Sequence, residues 1–536
     1  MKAGSLLDAA SAQAIGFDWL RDALTPAGPY GKERFEGLEP FVPGEETAAG
    51  ARAERIVRIA DALDEAKLDA AREVSRNVPD AGAAVARASM GDALDDANLL
   101  ELQRFFDACA LLDALTASCD ELPRCASASV RACAAVLERG RAGRFGFYLE
   151  DAFDASLAAA RAAFEKAQAE YEAARGRGAA AAATALDREI SLPEFIVMRA
   201  DLHGPLPSGV RVVREAPTYL LCELDADEGV LAALRRRDEA AAEVARAEEH
   251  VREHLSATIR THAAALGDAM QAFGECDVLV AAARFARQHA CRAQRIEGQG
   301  PLAFESGRFL PLAHKLSAQG RAFTPISLQL DGVAVITGPN MGGKSVCLRT
   351  CGFIALCAAF GLPVPAQEAQ TPLFAEIAWL GVGGDGEDRE GSLLSSFARE
   401  VVRLRELLQR SVIPRLVLLD EFARTTTPRE GKALLVAVVD RLRSMRALAL
   451  AATHLGGVAE AAGTRHYAVR GLRGIPHVPA TDDLAQALET LGASMDYTLE
   501  EVTSEQPRGA DAIALAALLG IDQRVIEAAY RAMEME

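Results

Sequence analysis

The chain has 536 residues, half of them hydrophobic, which is enough for several domains with large buried cores. It contains no apolar run of the roughly 18 residues that a membrane-spanning helix needs, and Met1 to Leu7 do not lead into a signal peptide, so we expect a cytoplasmic protein with no membrane partner. The formal net charge of −18 disfavours a general affinity for nucleic acid, because DNA binding depends on basic side chains that neutralise phosphates.

The first part of the chain is predicted to be helical. Residues 1–45 are of mixed composition, with turn signals at residues 26–29 and 43–44. Residues 46–140 are rich in alanine and have helical periodicity with few helix breakers. We therefore predict a helical core domain over residues 1–150.

Two long helical segments follow. The first, residues 153–174, has apolar side chains in alternating steps of four and three, the heptad spacing that is typical of a coiled-coil pair. The second, residues 229–268, also carries an apolar face. The segments could be antiparallel arms of a lever over residues 151–275 or two ordinary bundle helices, and the pattern fits both about equally. The apolar positions are Phe153, Leu157, Ala160, Phe164, Ala167, Tyr171 and Ala174 in the first segment, and Val244, Val251, Leu255, Ile259 and Leu266 in the second.

A small β-containing tip is predicted between the arms, over about residues 183–224. Residues 195–198 and 210–213 have the composition of short strands around turns that contain glycine and proline. From Glu194 to Glu223 there are three arginines and four acidic residues, whereas a tip that grips phosphates should be net basic. A return helix and linker are predicted over residues 276–300.

The strongest functional signal is the sequence GPNMGGKS at residues 338–345, which directly follows the apolar run of residues 333–337. It is a complete Walker A pattern, G-x-x-x-x-G-K-[ST], and residues 346–360 after it are compatible with a helix. Glycines in such a loop allow backbone N–H groups to surround phosphates, the lysine adds positive charge, and the serine hydroxyl can bind Mg²⁺. The pattern predicts a nucleotide site at Gly338, Pro339, Asn340, Met341, Gly342, Gly343, Lys344, Ser345 and Val346.

Two further apolar segments are predicted to be strands that end in polar side chains. Residues 415–419 lead into Asp420 and Glu421, a Walker B pattern, in which the aspartate would hold the Mg²⁺ shell and the glutamate would orient or deprotonate the attacking water. Residues 448–452 are followed closely by His454, and a histidine there can reach the γ-phosphate and respond to hydrolysis. We predict that Glu421, His454 and Lys344 are catalytic and that Ser345 and Asp420 hold the metal.

Ten cysteines occur without a C-x-x-C pair or a zinc-ligand spacing. Cys347, Cys351 and Cys357 fall on the helix predicted after the Walker A loop, where their spacing suggests packing. We therefore predict buried, reduced thiols.

Together these motifs closely resemble the ATPase domain of the MutS mismatch-repair family, over roughly residues 300–535. The resemblance implies an α/β P-loop NTPase domain of the ABC-like, MutS type at residues 301–536, preceded by a mostly α-helical core with long lever helices. It also implies ATP and Mg²⁺ as cofactors and a dimer, either a homodimer or one with a related subunit. In that family a signature serine reaches across the dimer to the partner's nucleotide, and Ser395 and Ser396 match it. The motifs that carry the resemblance are GPNMGGKS, VPAQ at residues 364–367, DEFARTTT at residues 420–427, ATHL at residues 452–455, and Ser395-Ser396-Phe397 followed by Glu400.

The resemblance implies two further features. The family's ATPase domain closes with a pair of helices that packs on the other subunit, and residues 510–521 and 525–532 resemble that pair. In the family an aromatic side chain upstream of the loop stacks on adenine, and Phe323 lies near the corresponding place without being clearly in register.

The rest of the chain resembles the family's core and lever domains more faintly. Residues 31–56 are similar to the start of that core, and residues 276–283 are similar to the helix that returns towards the ATPase domain. We therefore expect the family's mismatch-reading domain, which inserts a Phe-x-Glu pair at a mismatch, to be absent. The Phe-x-Glu sequences at residues 273–275 and 374–376 fall in a lever helix and in the ATPase domain, so we interpret both as chance matches.

Two functions are open for this ATPase. In the first, ATP binding and hydrolysis in a dimer move the helical levers to remodel or reactivate a protein client. The acidic net charge, the tip that is not net basic, and the expected absence of the mismatch-reading domain fit this function. Short MutS-like chains of this size include the ATPase subunit of the reactivase for lysine 5,6-aminomutase, a cobalamin and pyridoxal-phosphate enzyme, and the chain resembles that group in length and layout. We favour a protein client, such as a cobalamin-dependent aminomutase. The alternative is a DNA-binding MutS homologue that acts in mismatch repair or recombination.

Overall fold

The described residues group into two compact units. The first unit comprises residues 1–77, 114–123 and 271–536, and the second comprises residues 78–113 and 124–270. The domain boundaries expected from the sequence at residues 150, 275 and 300 stay predictions. The structure, a computed structural model, describes residues 1–142, 146–190, 194–339, 343–381, 396–410, 412–472, 495–502, 513, 516–517 and 521–534.

Helices dominate the chain before the Walker A loop, as the alanine-rich composition predicts. Within the described ranges, none of them is long and apolar enough to cross a bilayer. In chain order the helices are α1 (Ala9–Ile15), α2 (Phe17–Ala23), α3 (Pro29–Glu36), α4 (Glu46–Ala62), α5 (Glu65–Asn77), α6 (Gly82–Met90), α7 (Asp96–Leu115), α8 (Ala128–Leu137), α9 (Ala155–Ala185), α10 (Glu228–Thr261), α11 (Ala263–Gln288), α12 (Leu310–Ala318), α13 (Lys344–Ala359), α14 (Ser396–Gln409), α15 (Pro428–Ser444), α16 (Val458–Ala462) and α17 (Gln523–Glu534).

The strands belong to sheets of two, three, four and six strands in the described part of the chain. They are β1 (Arg141–Ala142), β2 (Gly146–Phe147), β3 (Glu194–Met198), β4 (Val210–Glu215), β5 (Tyr219–Leu224), β6 (Arg295–Ile296), β7 (Leu302–Gly307), β8 (Ile326–Leu330), β9 (Val333–Thr337), β10 (Glu368–Thr371), β11 (Glu376–Gly381), β12 (Arg415–Asp420), β13 (Leu448–Ala452), β14 (Arg465–Leu472) and β15 (Met495–Glu501). The sheet orders are β1-β2, β3-β5-β4, β6-β10-β7-β8 and β11-β12-β13-β9-β14-β15.

In the second unit, α9 and α10 pack side by side as helices of 31 and 34 residues. Their direction is antiparallel, because Arg161 pairs with Glu248 at 2.9 Å while Arg236 pairs with Glu170 at 3.5 Å. The first helix continues past the predicted residue 174 to Ala185, and the second predicted segment is divided at His262, the C-cap of α10. The structure therefore has a long helix within each predicted segment, and the lever stays a prediction.

The tip is a three-stranded antiparallel sheet in which the two predicted strands, β3 and β4, lie at the edges. The central strand, β5, was not predicted, because its apolar residues follow one another without the alternation that indicates a half-buried strand. One face of the sheet carries a small apolar core of Phe195, Val197, Leu220 and Cys222. The tip sheet therefore has its own small core on one face, and the opposite face of the sheet does not contribute to that core.

The six-stranded sheet lies at the centre of the first unit. β11, β12, β13, β9 and β14 run parallel, and β15 pairs antiparallel with β14 at the edge. β9, β12 and β13 confirm the three strands predicted before the Walker A, Walker B and histidine motifs, and because they are parallel their carboxyl ends meet at one edge of the sheet. On one face, Leu418 contacts α13, and on the other, Val417 and Leu419 join an apolar cluster with residues of α14 and α15.

The cysteines are buried and unpaired, as predicted. Burial raises the pKa of the Cys347 thiol, on α13, to about 12, which keeps it protonated at neutral pH. Because the cysteine side chains are buried in the core, we interpret their role as packing.

The first 15 residues run along the outer edge of the six-stranded sheet, a pairing that the sequence did not predict. The N–H of Ile377 donates to the carbonyl oxygen of Leu6 at 2.8 Å, and the N–H of Trp379 donates to Oγ of Ser11 at 2.9 Å. Ile15 of α1 packs so closely on α13 that a Cβ at Gly352 would lie 2.6 Å from it. The segment covers the edge strand β11, whose backbone would otherwise be unpaired.

Candidate functional site

The Walker A loop leaves β9 and enters α13, as the sequence predicts. Gly338 has φ 148° and Gly343 has φ 93°, a conformation that favours glycine at the entry to the helix. A Cβ at Gly338 would lie 3.2 Å from the side chain of Val469 on β14. The two glycines therefore allow the loop to turn close to the sheet. Asn340, Met341 and Gly342 lie outside the described residues.

Lys344 is buried at the start of α13, with 4% of its surface exposed. Its Nζ donates to the carbonyl oxygens of Gly338 at 2.8 Å and Pro339 at 3.1 Å, and it lies 3.4 Å from Oε1 of Glu421. A buried ammonium group needs such acceptors, because an unpaired charge in a core is costly. Gly338, Pro339 and Glu421 belong to the two predicted motifs, so the lysine lies where these motifs meet.

Ser345 and Asp420 form the link between Walker A and Walker B. Oγ of Ser345 donates to Oδ1 of Asp420 at 2.8 Å. The pKa of the Asp420 carboxyl is raised, mainly by burial. The hydrogen bond from Ser345 lowers this pKa, whereas the negative charge of Glu421 raises it further. Positive charges on Arg349 and Lys344 also favour the ionised form.

The donor set at this point fits Mg²⁺, which prefers oxygen ligands and usually takes only one or two of them from carboxylates. A hydroxyl and a carboxylate oxygen lie together at Ser345 and Asp420. Among the described residues, no cluster of three or more His, Cys, Asp or Glu side chains is arranged to hold a metal ion. A transition-metal centre made from such a cluster is therefore not found in that part of the chain.

Glu421 lies in a tight turn directly after β12. Its φ is 53° and that of Ala423 is 61°, and each left-handed non-glycine residue costs about 1–2 kcal/mol. The turn is held by main-chain bonds, including one from the N–H of Glu421 to the carbonyl oxygen of Ala452 at 2.9 Å. With this backbone conformation the Glu421 carboxylate lies beside Lys344, and 20% of the Glu421 side chain is exposed. Strained turns of this kind persist where the surrounding structure fixes them, and they are common at functional sites.

His454 follows β13 and faces the same carboxylate. Its Nδ1 lies 4.0 Å from Oε2 of Glu421, and 42% of its side chain is exposed. The neighbouring Thr453 is fixed by a hydrogen bond from its N–H to the carbonyl oxygen of Ile336 on β9, at 3.0 Å. The structure thus brings together Lys344, Ser345, Asp420, Glu421 and His454, which the sequence predicts as the catalytic and metal-binding residues.

The remaining predicted roles are not tested by the structure. Ser395 lies outside the described residues, and α14 begins at Ser396, whose side chain is not described. Only α17 and a few residues before it are described from the predicted closing pair of helices. Phe323 is half-buried, and its proposed role in adenine stacking stays a prediction.

Three contacts at the site were missed by the sequence reasoning. A Cβ at Gly343 would lie 3.2 Å from the ring of Tyr497 on β15, so this tyrosine lies beside the loop. A Cβ at Gly381 on β11 would lie 2.3 Å from the carbonyl oxygen of Asp420. Glu400 on α14 accepts a hydrogen bond from the N–H of Ala423. For the first two no sequence signal was available, whereas Glu400 stands in the Ser-Ser-Phe-x-x-Glu motif.

A strand, a glycine-rich loop and a helix that begins with Lys-Ser, beside a strand that ends in Asp-Glu, define the class of P-loop nucleotide-binding proteins. Comparison with known proteins indicates which family within this class the chain is similar to. Residues 334–535 match the family described as MutS domain V, a P-loop ATPase domain.

Individual relatives agree with that match. The chain is 36% identical over 219 residues to the endonuclease MutS2 of Pelotomaculum thermopropionicum, covering 39% of this chain and 26% of the relative. It is 33% identical over 247 residues to the DNA mismatch repair protein MutS of Thermus thermophilus, covering 46% of this chain and 28% of the relative. These matches support the MutS family, and the chain spans about a quarter of the length of the curated relatives it matches.

Proposed function

We propose that this chain is a Mg²⁺-dependent ATPase of the MutS type. The observation that carries the proposal is the junction of the two motifs, in which Ser345 contacts Asp420 at 2.8 Å and Lys344 lies 3.4 Å from Glu421. Lys344 binds the β- and γ-phosphates, and Ser345 and Asp420 hold the metal. Mg²⁺, when bound, supplies positive charge that neutralises the phosphates.

Glu421 and His454 act on the water and the γ-phosphate in this proposal. The Glu421 carboxylate orients or deprotonates the attacking water, and its strained backbone fixes the direction of the carboxylate in advance. His454 contacts the γ-phosphate and responds to its loss, which its place beside the same carboxylate supports.

The test is Mg²⁺-dependent ATP binding and hydrolysis by the purified chain, compared with Lys344→Ala. We expect hydrolysis that requires Mg²⁺ and a variant with much weaker nucleotide binding. No binding of ATP by the unmodified chain at millimolar concentration would contradict the proposal.

We further propose that the working form is a dimer in which Ser395 and Ser396 complete the partner's nucleotide site. The exposed apolar side chains of the C-terminal residues support this arrangement, because Ile521, Val525 and Met533 are about half exposed while Ile526 is buried. An amphipathic helix that leaves large apolar residues exposed is typical of a surface that pairs with another.

For the target, we favour a protein client that the helical pair remodels or reactivates. The chemistry of the tip supports this choice. Arg199 pairs with Glu215 at 2.9 Å and Arg211 pairs with Glu223, so two of the three arginines between Glu194 and Glu223 are already neutralised. On the face of the sheet away from the tip core, Ile196 and Met198 are 45% and 44% exposed, and an apolar surface suits a protein better than a phosphate backbone.

A cobalamin-dependent aminomutase is one client of this kind. The direct test is to add ATP and the chain to lysine 5,6-aminomutase that has lost activity during turnover, and to measure recovered activity with unmodified chain and with Glu421→Gln. Equal recovery in both would argue against an ATP-driven role on this enzyme.

The second candidate function is action on DNA in mismatch repair or recombination. The names of the relatives, an endonuclease MutS2 and a DNA mismatch repair protein MutS, favour it. Those matches cover less than half of this chain, so they support the ATPase more directly than the target. Binding of DNA is the measurement that separates the two candidates.

A further inference from the structure

Three arginines of the first unit lie around a single carboxylate. Arg34 of α3 lies 3.2 Å from Oε2 of Glu275 on α11, and Arg55 of α4 lies 2.8 Å from Oε1 of the same carboxylate. Arg52 precedes Arg55 by one turn of α4, a spacing at which helical side chains are neighbours and like charges repel. In a chain with a net charge of −18, this cluster is a local excess of positive charge.

Arg52 is the least satisfied of the three arginines. Its Nε is buried and has no hydrogen-bond partner in the part of the chain that the structure describes. Burial lowers the pKa of the Arg52 guanidinium, and the carboxylate of Glu275 opposes this effect. The charges of Arg34 and Arg55 lower the same pKa further. A buried charge without hydrogen-bonded partners is costly, because it loses its hydration without a replacement, and an anion beside Arg52 would remove that cost.

The stem of Arg52 packs against the end of α13. A Cβ at Gly361, in the turn after α13, would lie 2.9 Å from Cδ of Arg52 and 2.8 Å from the ring of Phe41. The negative end of a helix dipole favours a cation, but it is equivalent to only about half an elementary charge, so it balances Arg52 in part. Lys344 stands at the other end of this helix of 16 residues, which is about 24 Å long. The cluster is therefore separate from the Walker A loop.

The acidic side chains beside the cluster are paired with another arginine. Arg58, one turn further along α4, lies 2.6 Å from Glu121 and 3.5 Å from Glu54. Arg55 reaches Glu121 through the main chain, because its Nε donates to the Glu121 carbonyl oxygen at 2.8 Å. The side chains of Arg34 and Arg55 are 49% and 32% exposed, so a small solute can reach the cluster from solvent.

We propose that Arg34, Arg52 and Arg55 form a binding site for a phosphate group, either inorganic phosphate or the phosphate of a small monoester. Guanidinium groups bind phosphate through paired, charge-assisted hydrogen bonds. A phosphate group carries a charge of about −1.5 to −2 at neutral pH and offers three acceptor oxygens, so it can accept from all three arginines. A carboxylate has only two oxygens, and Arg34 and Arg55 already occupy those of Glu275.

Titration of a Lys344→Ala chain with anions tests this site, because that substitution weakens phosphate binding at the Walker A loop. Calorimetric binding and the midpoint of thermal unfolding are measured with inorganic phosphate, glycerol 3-phosphate, acetate and chloride at equal ionic strength. We expect at least one of the two phosphates to bind with a dissociation constant of about 1 mM or tighter and to raise the midpoint. The tighter of the two identifies the source of the phosphate group. Binding of both phosphates no stronger than that of acetate would overturn the proposal.

Arginine variants of the same chain locate the binding. Arg52→Ala should weaken phosphate binding by about tenfold or more, the scale of a lost hydrogen bond to a charged group. Arg34→Ala removes a more exposed side chain and should also weaken binding, so it alone decides if the Arg52→Ala chain does not fold. Arg58→Ala, on the same helix, removes an arginine that is already paired with Glu121 and should leave binding unchanged. Unchanged affinity in the folded Arg52→Ala and Arg34→Ala chains would overturn the proposal.

The response to Glu275→Gln separates an anion site from a structural ion-pair cluster. The glutamine keeps oxygen and nitrogen atoms of similar shape but removes the negative charge that competes with phosphate. Phosphate should therefore bind severalfold more tightly, and it should restore more of the thermal stability than acetate does. A structural cluster would lose stability without any gain in affinity for phosphate, and that result would overturn the proposal.

Discussion

Oγ of Ser345 donates a hydrogen bond to Oδ1 of Asp420 over 2.8 Å and so joins two motifs that are 75 residues apart in the chain. The contact forms because β9 and β12 end at the same edge of a parallel sheet, separated only by β13. Burial disfavours the ionised carboxylate, and the serine hydroxyl and the nearby cations offset that effect. Both oxygens of the expected metal site are thus fixed by the fold.

The close approach of β11 to Asp420 gives the first prediction. Gly381 pairs with Asp420 across the two strands, and a Cβ there would lie 2.3 Å from the Asp420 carbonyl oxygen. Gly381→Ala should therefore displace Asp420, abolish most Mg²⁺-dependent hydrolysis, and lower the free energy of unfolding by about 1–3 kcal/mol, the usual cost of overpacking. Steady-state ATPase assays and urea unfolding measure the two effects.

A matched control for this variant is Gly332→Ala. Nothing lies within 4 Å of a Cβ at Gly332, which precedes β9 in the same sheet. We expect normal activity and stability from it. Normal activity from Gly381→Ala as well would show that the position of Asp420 is not critical.

The contact of Lys344 with Glu421 gives the second prediction, because the two residues have different roles. Glu421→Gln should leave binding of ATP and Mg²⁺ nearly intact and slow turnover by about 10²–10⁴-fold, the usual scale for a lost general base. Lys344→Ala should instead weaken nucleotide binding. Equilibrium binding of a fluorescent ATP analogue, together with single-turnover hydrolysis, distinguishes the two. Unchanged turnover in the glutamine variant would remove Glu421 from the catalytic role.

The third prediction concerns composite sites. If Ser395 and Ser396 complete the partner's site, ATPase activity per chain should fall on dilution below the dimer dissociation constant. Mixing a Ser395→Ala/Ser396→Ala chain with a Lys344→Ala chain should restore about one working site per dimer, because both defects then fall in the same composite site. No recovery on mixing, with heterodimers demonstrated by mass, would indicate sites contained within one chain.

The parts of the site that could be predicted are those with a local signal. Lys344, Ser345, Asp420 and Glu421 each stand in a short motif at the end of an apolar strand, and the parallel strand order then brings them together. The predicted residues 153–174 fall short of the end of α9, because the heptad positions end at Ala174 while the alanine-rich sequence after them continues the helix through Gly176 and Gly178 to Ala185.

The parts that could not be predicted depend on pairing between distant segments. Ser11 reaches Trp379 across 368 positions, and no periodicity of either segment encodes that contact. Gly381 is a single glycine whose need for close approach is visible only beside Asp420. Glu400 was recognised as part of a motif, and its bond to Ala423 required the structure. In each case the two partners meet through tertiary packing, which local sequence does not specify.

The last prediction concerns DNA. The net charge of −18 disfavours binding to phosphates, and Arg199 and Arg211 of the tip are already paired to acids. We expect dissociation constants for duplex DNA no tighter than the non-specific range of about 10⁻⁴–10⁻⁶ M. A mismatch should bring no preference, and stimulation of ATPase activity should come from a protein client.

The measurement is a titration of homoduplex, G·T mismatch and four-way junction DNA at about 0.15 M salt, with and without ATP, because affinity for DNA is meaningful only at a stated salt concentration. Weak binding to all three, with a steep loss as salt increases, is the expected result. An Arg211→Ala/Arg214→Ala chain serves as the control, and its binding should differ little, because the tip is not expected to hold phosphates. Nanomolar binding to one of the three, with a clear preference over homoduplex, would overturn the protein-client proposal and favour action on DNA. Loss of that binding in the arginine variant would then place the contact at the tip.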